Sequence, residues 1–180
     1  GDLQGSISSG SVTLNASETY ILTGALIVKE GAVLTIPSGT TITAAAGTST
    51  SAYIGVERGA KIYINGTATA PVVMTSETQV AGSWGGLAIA GYGITNAGTN
   101  VTSEVGDLTY GGSDNSDNSG VVTYLRVEYS GATFTNEKEF NGVTLFGVGS
   151  GTTFSNVSSV NGSDDGIEFF GGAVNAKNLV

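Results

Sequence analysis

The sequence predicts an all-β protein that folds as a right-handed parallel β-helix of roughly six or seven coils. The main observation is an internal repeat: residues 26–36 read LIVKEGAVLTI, and residues 54–64, 28 positions later, read IGVERGAKIYI. Both segments alternate apolar residues with others around a glycine, which is the pattern of two short strands joined by a turn. A unit this short cannot bury its apolar face alone, so copies must stack above and below it. The side chains that we expect to point inward and stack are Leu26, Val28, Leu34 and Ile36, with their counterparts Ile54, Val56, Ile62 and Ile64.

The charged residues of the repeat predict that its two copies stack in register. Lys29 aligns with Glu57, and Glu30 aligns with Arg58, so opposite charges face each other at both positions. Neighbouring strands lie about 4.8 Å apart, close enough for facing charges of the same sign to repel. We expect the ion pairs Lys29–Glu57 and Glu30–Arg58, each contributing about 0.2–1 kcal/mol. An antiparallel sandwich, the competing fold, gives no reason for this match.

The composition favours the same fold class. The 180 residues include 29 glycines and 2 prolines, and 12% of the residues are charged. Glycine is about twice as frequent as usual and charge about half as frequent, which is typical of a β-rich chain with many tight turns. No window of helical length carries a 3.6-residue period free of glycine or proline. We interpret the whole chain, 1–180, as one domain.

The segments that flank the repeat predict an irregular start followed by several short strands. Residues 1–10 are polar and are expected to be irregular, and the first strands fall within 11–23. The Ala/Thr/Ser-rich segment 43–52 joins the two copies of the repeat as a projecting turn. Strands are then predicted at 71–75 and at 87–90, where short apolar runs follow turn residues.

Residues 93–120 break the pattern with a long polar stretch, which we interpret as one large loop excursion from the coils. A second, smaller charged loop is predicted at 135–141. Further coil segments are predicted at 121–134, 143–148, 152–157 and 167–174.

Two absences in the sequence exclude several kinds of site. Histidine and cysteine do not occur, so neither a Ser-His-Asp triad nor a thiolate metal site can form. The net charge of −9 argues against binding to nucleic acid or to an anionic membrane surface. No apolar run is long enough to insert into a membrane.

Several segments stand in a characteristic order: TGALIV (23–28), VERGAKI (56–62), WGGL (84–87), VEYSG (127–131), NGVTLFGVGSGTT (141–153) and DDGIEFFGGAVNAK (164–177). Together they resemble a large group of secreted or surface-anchored bacterial right-handed β-helix proteins, mostly labelled uncharacterised or lipoprotein. The resemblance covers nearly the whole chain and implies the fold and an extracellular or cell-surface location, but no activity. The helix of longer members continues past the position of Val180, so we expect the C-terminal end of this chain to be open or truncated.

The main candidate site is the acidic cluster of Asn161, Asp164, Asp165 and Glu168. Paired carboxylates on a β-helix are compatible with a glycosidase, in which one acts as acid and the other as base or nucleophile. The alternatives are that these acids accept hydrogen bonds from backbone amides at a turn, or that Asp164 and Asp165 hold Ca²⁺. We favour the structural roles over catalysis and predict no catalytic residue.

The segment DNSDNS at 114–119 is a second candidate Ca²⁺ site, through Asp114 and Asp117. Oxygen ligands at alternate positions suit this hard cation, although the glycine and the terminal glutamate of an EF-hand loop are missing. The other interpretation is a solvated polar loop.

Trp84 is the only tryptophan and stands before a glycine pair. We expect it to pack in the core or at its rim, with a platform for sugar stacking as the alternative. A candidate glycan-binding set is therefore Trp84 and Tyr110 with Asp164, Asp165 and Glu168.

The sequence thus predicts a non-catalytic extracellular structural or adhesive scaffold. Its partners are expected to be further copies of itself, stacked end to end into filaments because coil edges are unpaired, or cell-surface glycans. The alternative is a carbohydrate-binding module or a relative of polysaccharide-degrading β-helix enzymes. No cofactor other than Ca²⁺ is expected.

Overall fold

The computed structural model describes residues 1–135 and 137–180, which form a right-handed parallel β-helix. Among these residues no helix is long and apolar enough to cross a membrane. The strands of the described residues are β1 (Asp2–Ile7), β2 (Ser11–Thr13), β3 (Tyr20–Val28), β4 (Val33–Pro37), β5 (Thr41–Ala44), β6 (Ile54–Val56), β7 (Lys61–Asn65), β8 (Val72–Ser76), β9 (Leu87–Ala90), β10 (Val101–Thr102), β11 (Thr109–Tyr110), β12 (Gly120–Glu128), β13 (Thr133–Thr135), β14 (Lys138–Glu139), β15 (Val143–Phe146), β16 (Thr153–Val160), β17 (Ile167–Phe170) and β18 (Asn175–Leu179).

Each coil passes through three faces of the helix, which we call A, B and C in chain order. Face A contains β5 and β8, face B contains β6, β9, β15 and β17, and face C contains β2, β4 and β7. The longer strands turn a corner and serve two faces: the first half of β12 pairs with β7, and its second half pairs with β8. The pairings arrange the described residues in six coils, within the six or seven that the sequence predicted.

The internal repeat stacks directly and in parallel. Leu26 lies opposite Ile54, and Leu34 lies opposite Ile62. All eight side chains predicted to point inward are at most 5% exposed. Parallel pairing brings the second copy one coil above the first, so identical positions fall on the same side of the sheet.

The core runs along the helix axis as columns of apolar side chains. On face C one column consists of Ile36, Ile64, Val122 and Phe154, which follow one another from coil to coil. Each of these side chains is almost completely buried. Burial of one such side chain contributes about 1.5–3 kcal/mol, so the stacked columns hold the coils together.

Two segments contain more regular structure than the sequence analysis predicted. Residues 1–10 were expected to be irregular, but β1 pairs in parallel with β3 and begins the first coil. The register shifts between Leu3 and Gly5, and this break hides the strand's alternation in the sequence. The smaller loop at 135–141 contributes to an antiparallel hairpin of β13 and β14, although its Asn136 lies outside the described residues.

One of the two predicted charge pairs forms. The Lys29 Nζ lies 2.8 Å from the Glu57 Oε1. The prediction of a Glu30–Arg58 pair is wrong, because Arg58 reaches instead toward the excursion, where it donates to backbone carbonyl oxygens. The Glu30 backbone amide donates to the Glu57 carboxylate, and the Glu30 carboxylate accepts a hydrogen bond from Tyr92.

A column of left-handed residues marks the corner between faces C and A. Tyr124, Asn156 and Asn178 lie on successive coils, with φ angles of 50°, 56° and 56°. The Asn178 side-chain amide donates to the Asn156 Oδ1 over 3.2 Å. Asparagine tolerates this backbone region better than tyrosine does, so Tyr124 is the strained member of the column.

Loops leave the helix at two corners and carry residues of the candidate site. The excursion (residues 93–120) leaves after β9 and returns at β12, between faces B and C, and carries an antiparallel hairpin of β10 and β11. The loops after β12 and after β16 both lie between faces A and B, on consecutive coils.

Candidate functional site

Arg58 holds the excursion against the coils. Its Nη1 donates to the carbonyl oxygens of Thr99 and Gly111, over 2.8 and 2.7 Å, and its Nη2 donates to the Asn100 side chain over 2.6 Å. The guanidinium group also lies over the Tyr92 ring, 4.9 Å from its centroid. One arginine thus joins both halves of the excursion to the third coil.

The Asp/Asn-rich segment 114–119 anchors the C-terminal end of the excursion to the coils. The Asp117 carboxylate accepts hydrogen bonds from the backbone amides of Tyr92 and Asn118. Asp114 accepts from the Ser116 backbone amide and hydroxyl. Asp114 and Asp117, predicted as Ca²⁺ ligands or as part of a solvated loop, thus accept hydrogen bonds from main-chain amides and from the Ser116 hydroxyl.

Six carboxylates line one cleft of ≈ 290 Å³ beside face B. We call it the acidic cleft, and its lining residues are Glu104, Glu137, Glu139, Asp164, Asp165 and Glu168. Glu104 comes from the excursion, Glu137 and Glu139 come from the loop after β12, and the others come from the loop after β16 and from β17. The three acids predicted from the sequence thus lie together, and three unpredicted acids join them.

The pKa values of two of these carboxyls are raised, for different main reasons. The pKa of Glu139 is raised because its carboxyl shares a hydrogen bond with Asp164, whose charge adds to the effect. The pKa of Glu168 is raised mainly by partial burial, and the charges of Asp165, Glu104 and Asp164 raise it further. A hydrogen bond donated by Asn141 partly offsets this effect.

Asn141 fixes the position of Glu168 at the floor of the cleft. This asparagine is buried, and its Nδ2 lies 2.6 Å from the Glu168 Oε2 and 3.1 Å from the Thr144 Oγ1. Thr144 lies directly below Glu168 in the register of β15 and β17. The Glu168 carboxylate therefore sits on a rigid strand rather than on a loop.

A smaller cavity of ≈ 110 Å³ adjoins the acidic cleft through the shared residue Glu104. Aromatic side chains line it: Tyr53 and Phe140 lie with ring centroids 5.1 Å apart, and Phe134 is 57% exposed. Lys138 is the single basic residue in its lining. An exposed ring next to carboxylates offers an apolar platform beside hydrogen-bond acceptors.

Two residues of the candidate glycan-binding set lie in the interior. Trp84 is 1% exposed, and its indole N–H donates to the Glu128 carbonyl oxygen over 2.7 Å. Tyr110 is 6% exposed and packs on Phe146 with ring centroids 5.0 Å apart. This burial removes both from any sugar-contacting surface, and Trp84 has the core role that was the preferred expectation.

The chemistry available at the acidic cleft is that of hydrogen-bond acceptors and negative charge. Within the described ranges, no group of three or more acidic side chains is arranged to hold a metal ion. The cleft attracts cations and the hydroxyl groups of neutral ligands, and it repels anions. A polyanionic substrate therefore meets repulsion at this surface.

Sequence reasoning missed Arg58's role and half of the acidic cleft. Glu104, Glu137 and Glu139 lie in loops that leave different corners of the helix, and their convergence depends on loop paths that residue spacing does not encode. The available signal was that both loops carry acidic residues.

Comparison with known families agrees with the observed fold. The family model described as "Pectate-lyase like beta helix domain" matches residues 5–180. No curated protein and no solved structure matches the chain.

Proposed function

Since the chain belongs to the family of pectate-lyase-like β-helix domains, we propose that it is a non-catalytic structural or adhesive scaffold of the bacterial cell exterior. In this proposal the stacked coils form a rigid body, and the loops beside face B form its ligand-contacting surface. An extracellular or cell-surface location is part of the proposal, which the low charge and the Ser/Thr-rich composition support.

The main observation behind this proposal is that charged and aromatic side chains that could act in binding or catalysis instead stabilise the fold. Arg58 holds the excursion through three hydrogen bonds. Asp117 accepts hydrogen bonds from the Tyr92 amide, just before the excursion, and from the Asn118 amide within it. Trp84 is buried with its N–H bonded. A scaffold requires such immobilised loops, whereas an enzyme that closes over a polymer would need free basic groups for an anionic substrate.

The acidic cleft supports the same proposal on electrostatic grounds. Cleavage of an acidic polysaccharide requires that the substrate's carboxylates approach the site. Six carboxylates in one cleft oppose that approach, because like charges at short range repel. Unless a cation binds between its carboxylates, the cleft is thus unsuited to an anionic polysaccharide.

The test is product formation from a panel of acidic and neutral polysaccharides, measured as new reducing ends and as absorbance of unsaturated products. We expect neither signal to exceed that of a boiled sample. Release of products that disappears in Asp165→Asn or Glu168→Gln, but persists in the exposed-residue control Glu18→Gln, would show an enzyme instead.

A second function, binding of neutral glycans at the acidic cleft, is supported by the pairing of acceptors with an exposed ring. Sugar hydroxyls donate hydrogen bonds to carboxylates, and the apolar face of a sugar packs on an aromatic ring. Phe134 supplies the ring in the adjoining cavity, while Asp164 and Glu168 supply acceptors in the acidic cleft.

Titration calorimetry with neutral oligosaccharides tests this second function. We expect Phe134→Ala and Glu168→Gln each to weaken binding by about tenfold, in line with about 1–1.5 kcal/mol for one such contact. Val80→Ala, another exposed apolar side chain, is the matched control. Binding that is equally strong in all four proteins would place the glycan elsewhere.

End-to-end association is the third element of the proposal. Phe169 continues the inward column of Leu145 but is 45% exposed, and Leu179 continues the column of Val157. Such side chains favour a covering layer of β-structure, which in this proposal a second copy supplies. Light scattering across a concentration series tests this: growth that Phe169→Glu abolishes supports association, and a constant monomer mass excludes it for this chain.

A further inference from the structure

We infer that Asn161-Gly162 is a spontaneous modification site, at which the asparagine cyclises to a succinimide and then opens to aspartate or isoaspartate. The sequence contains three Asn-Gly pairs, beginning at Asn65, Asn141 and Asn161. Glycine allows this reaction because it has no side chain to obstruct its own backbone nitrogen. The three pairs have the same local sequence chemistry, so the fold decides which one reacts.

The reaction needs the glycine nitrogen to reach the asparagine side chain. The Gly162 backbone nitrogen loses its proton and attacks the Asn161 Cγ, and the bond from Cγ to the amide nitrogen breaks, releasing ammonia. Water then opens the five-membered ring at either carbonyl. Opening at one gives aspartate, and opening at the other gives isoaspartate, whose main chain is one methylene longer.

Two of the three pairs are held away from this geometry by the coil-to-coil hydrogen bonds. The Gly66 amide donates to the Thr123 carbonyl oxygen over 3.0 Å, and the Gly142 amide donates to the Asp165 carbonyl oxygen, also over 3.0 Å. A nitrogen engaged in this way cannot turn toward the preceding side chain without local opening of the helix.

Packing around the same two glycines is also tight. A Cβ built on Gly66 would lie 2.1 Å from the Tyr124 carbonyl oxygen, and one built on Gly142 would lie 2.4 Å from the Gly166 carbonyl oxygen. Neither dipeptide has room to rearrange. Asn141 is in addition buried, with its side-chain nitrogen bonded to Glu168.

Asn161-Gly162 lacks both restraints. Both residues are exposed, and among the described residues the Gly162 amide donates no hydrogen bond. A Cβ on Gly162 would meet its nearest atom, the Asp164 carbonyl oxygen, only at 3.5 Å. The dipeptide follows the end of β16 and can rotate without breaking a strand pairing.

The product changes the loop that carries Asp164 and Asp165. Conversion adds one carboxylate shortly before Asp164 in the chain, and the isoaspartate form also lengthens the main chain between β16 and the acidic cleft. The modification is therefore a slow, one-way increase in the negative charge next to the cleft.

Peptide mapping by mass spectrometry, after incubation of the folded protein at mildly alkaline pH, tests the inference. We expect Asn161 to convert at least about 10-fold faster than Asn65 and Asn141, because those two require local opening first. In urea-denatured protein the three rates should become similar. Equal rates in the folded protein, or faster conversion at Asn65 or Asn141, would overturn the inference.

Gly162→Ala is the matched variant, because a Cβ at this position meets only ordinary van der Waals distances and the backbone has no positive φ. It should fold, as judged by its melting temperature, and should slow conversion at Asn161 at least about 10-fold by obstructing the attacking nitrogen. An unchanged rate in a folded Gly162→Ala protein would contradict the mechanism. If this variant does not fold, the comparison of the three sites within the native protein decides.

Discussion

Lys29 and Glu57 are distant in the chain, yet the Lys29 Nζ and the Glu57 Oε1 lie 2.8 Å apart on neighbouring coils. Their separation in sequence equals the length of one coil in this part of the helix, where Val28 pairs with Val56. The pair is partly exposed, so it reports the register of the coils more than it stabilises them.

A double-mutant cycle measures this pair. For Lys29→Met and Glu57→Gln we expect a coupling free energy of about 0.2–1 kcal/mol in urea unfolding. The coupling should decrease at high salt, because ions screen partly exposed charges. A coupling of zero, or one that grows with salt, would contradict the observed contact.

The pH dependence of the same pair follows from the Glu57 pKa. Burial alone would raise this pKa, but hydrogen bonds from Lys29 and the Glu30 amide, with the lysine charge, lower it below the usual value. A lowered pKa means that the stabilisation is present above the unfolded-state pKa and is lost as pH falls through the folded-state pKa. The Glu57→Gln variant should therefore lose less stability than the parent on acidification.

Tyr124 is expected to be replaceable with a gain in stability. It holds a φ of 50° in the column whose other members are Asn156 and Asn178. Tyr124→Asn should raise the free energy of unfolding by up to about 1 kcal/mol, since asparagine adopts the left-handed region at lower cost. The control Tyr124→Ala removes the ring without this backbone preference. Equal destabilisation by both substitutions in urea unfolding would contradict the strain.

Ionisation of Glu168 should destabilise the folded protein as pH rises. Its pKa is raised, mainly by burial, so its contribution is fully present below the unfolded-state pKa and is lost as pH rises through the folded-state pKa. Glu168→Gln should therefore gain stability relative to the parent as pH rises above the ordinary glutamate pKa and through the raised folded-state pKa. Melting temperatures across this range check the sign, and a difference that does not vary with pH would refute the assigned cause.

Calcium is expected to act at the acidic cleft rather than at Asp114 and Asp117, whose carboxylates already accept backbone hydrogen bonds. We predict that Ca²⁺ raises the melting temperature more than NaCl does at equal ionic strength, because it relieves repulsion among the cleft carboxylates. Asp165→Asn should reduce this difference, whereas Asp114→Asn should not. Identical melting in the two salts would leave Ca²⁺ without a role.

The sequence was sufficient for the fold where consecutive coils have equal length. Leu34 and its partner Ile62 have the same separation in sequence as Lys29 and Glu57, so self-comparison finds both pairs. Later coils differ in length: the step from Val122 to its partner Phe154 is longer than in the repeat, and the step from Phe154 to Ala176 is shorter. There the apolar alternation still predicts strands, but it does not predict their partners.

The candidate site was less predictable than the fold, because part of it lies in loops whose paths the alternation of apolar residues does not predict. Asp164, Asp165 and Glu168 are close in sequence, and they were found together. Glu104 and Glu139 reach them from other coils, and that approach depends on how Arg58 and the hairpin of β13 and β14 fix the loops. In the sequence, Glu30 was an equally good partner for Arg58. Only the path of the excursion explains why Arg58 binds the excursion and not Glu30.

Native-state hydrogen exchange tests the central claim of a rigid scaffold most directly. The amides of Tyr92, Ile94 and Gly111 donate within the excursion and to the coil. We predict that they exchange nearly as slowly as amides of the buried strands, and that Arg58→Lys, which keeps the charge but loses the fork of donors, selectively accelerates exchange there. Rapid exchange at these amides in the parent protein, at the rate of a free loop, would contradict the scaffold and indicate an excursion that moves.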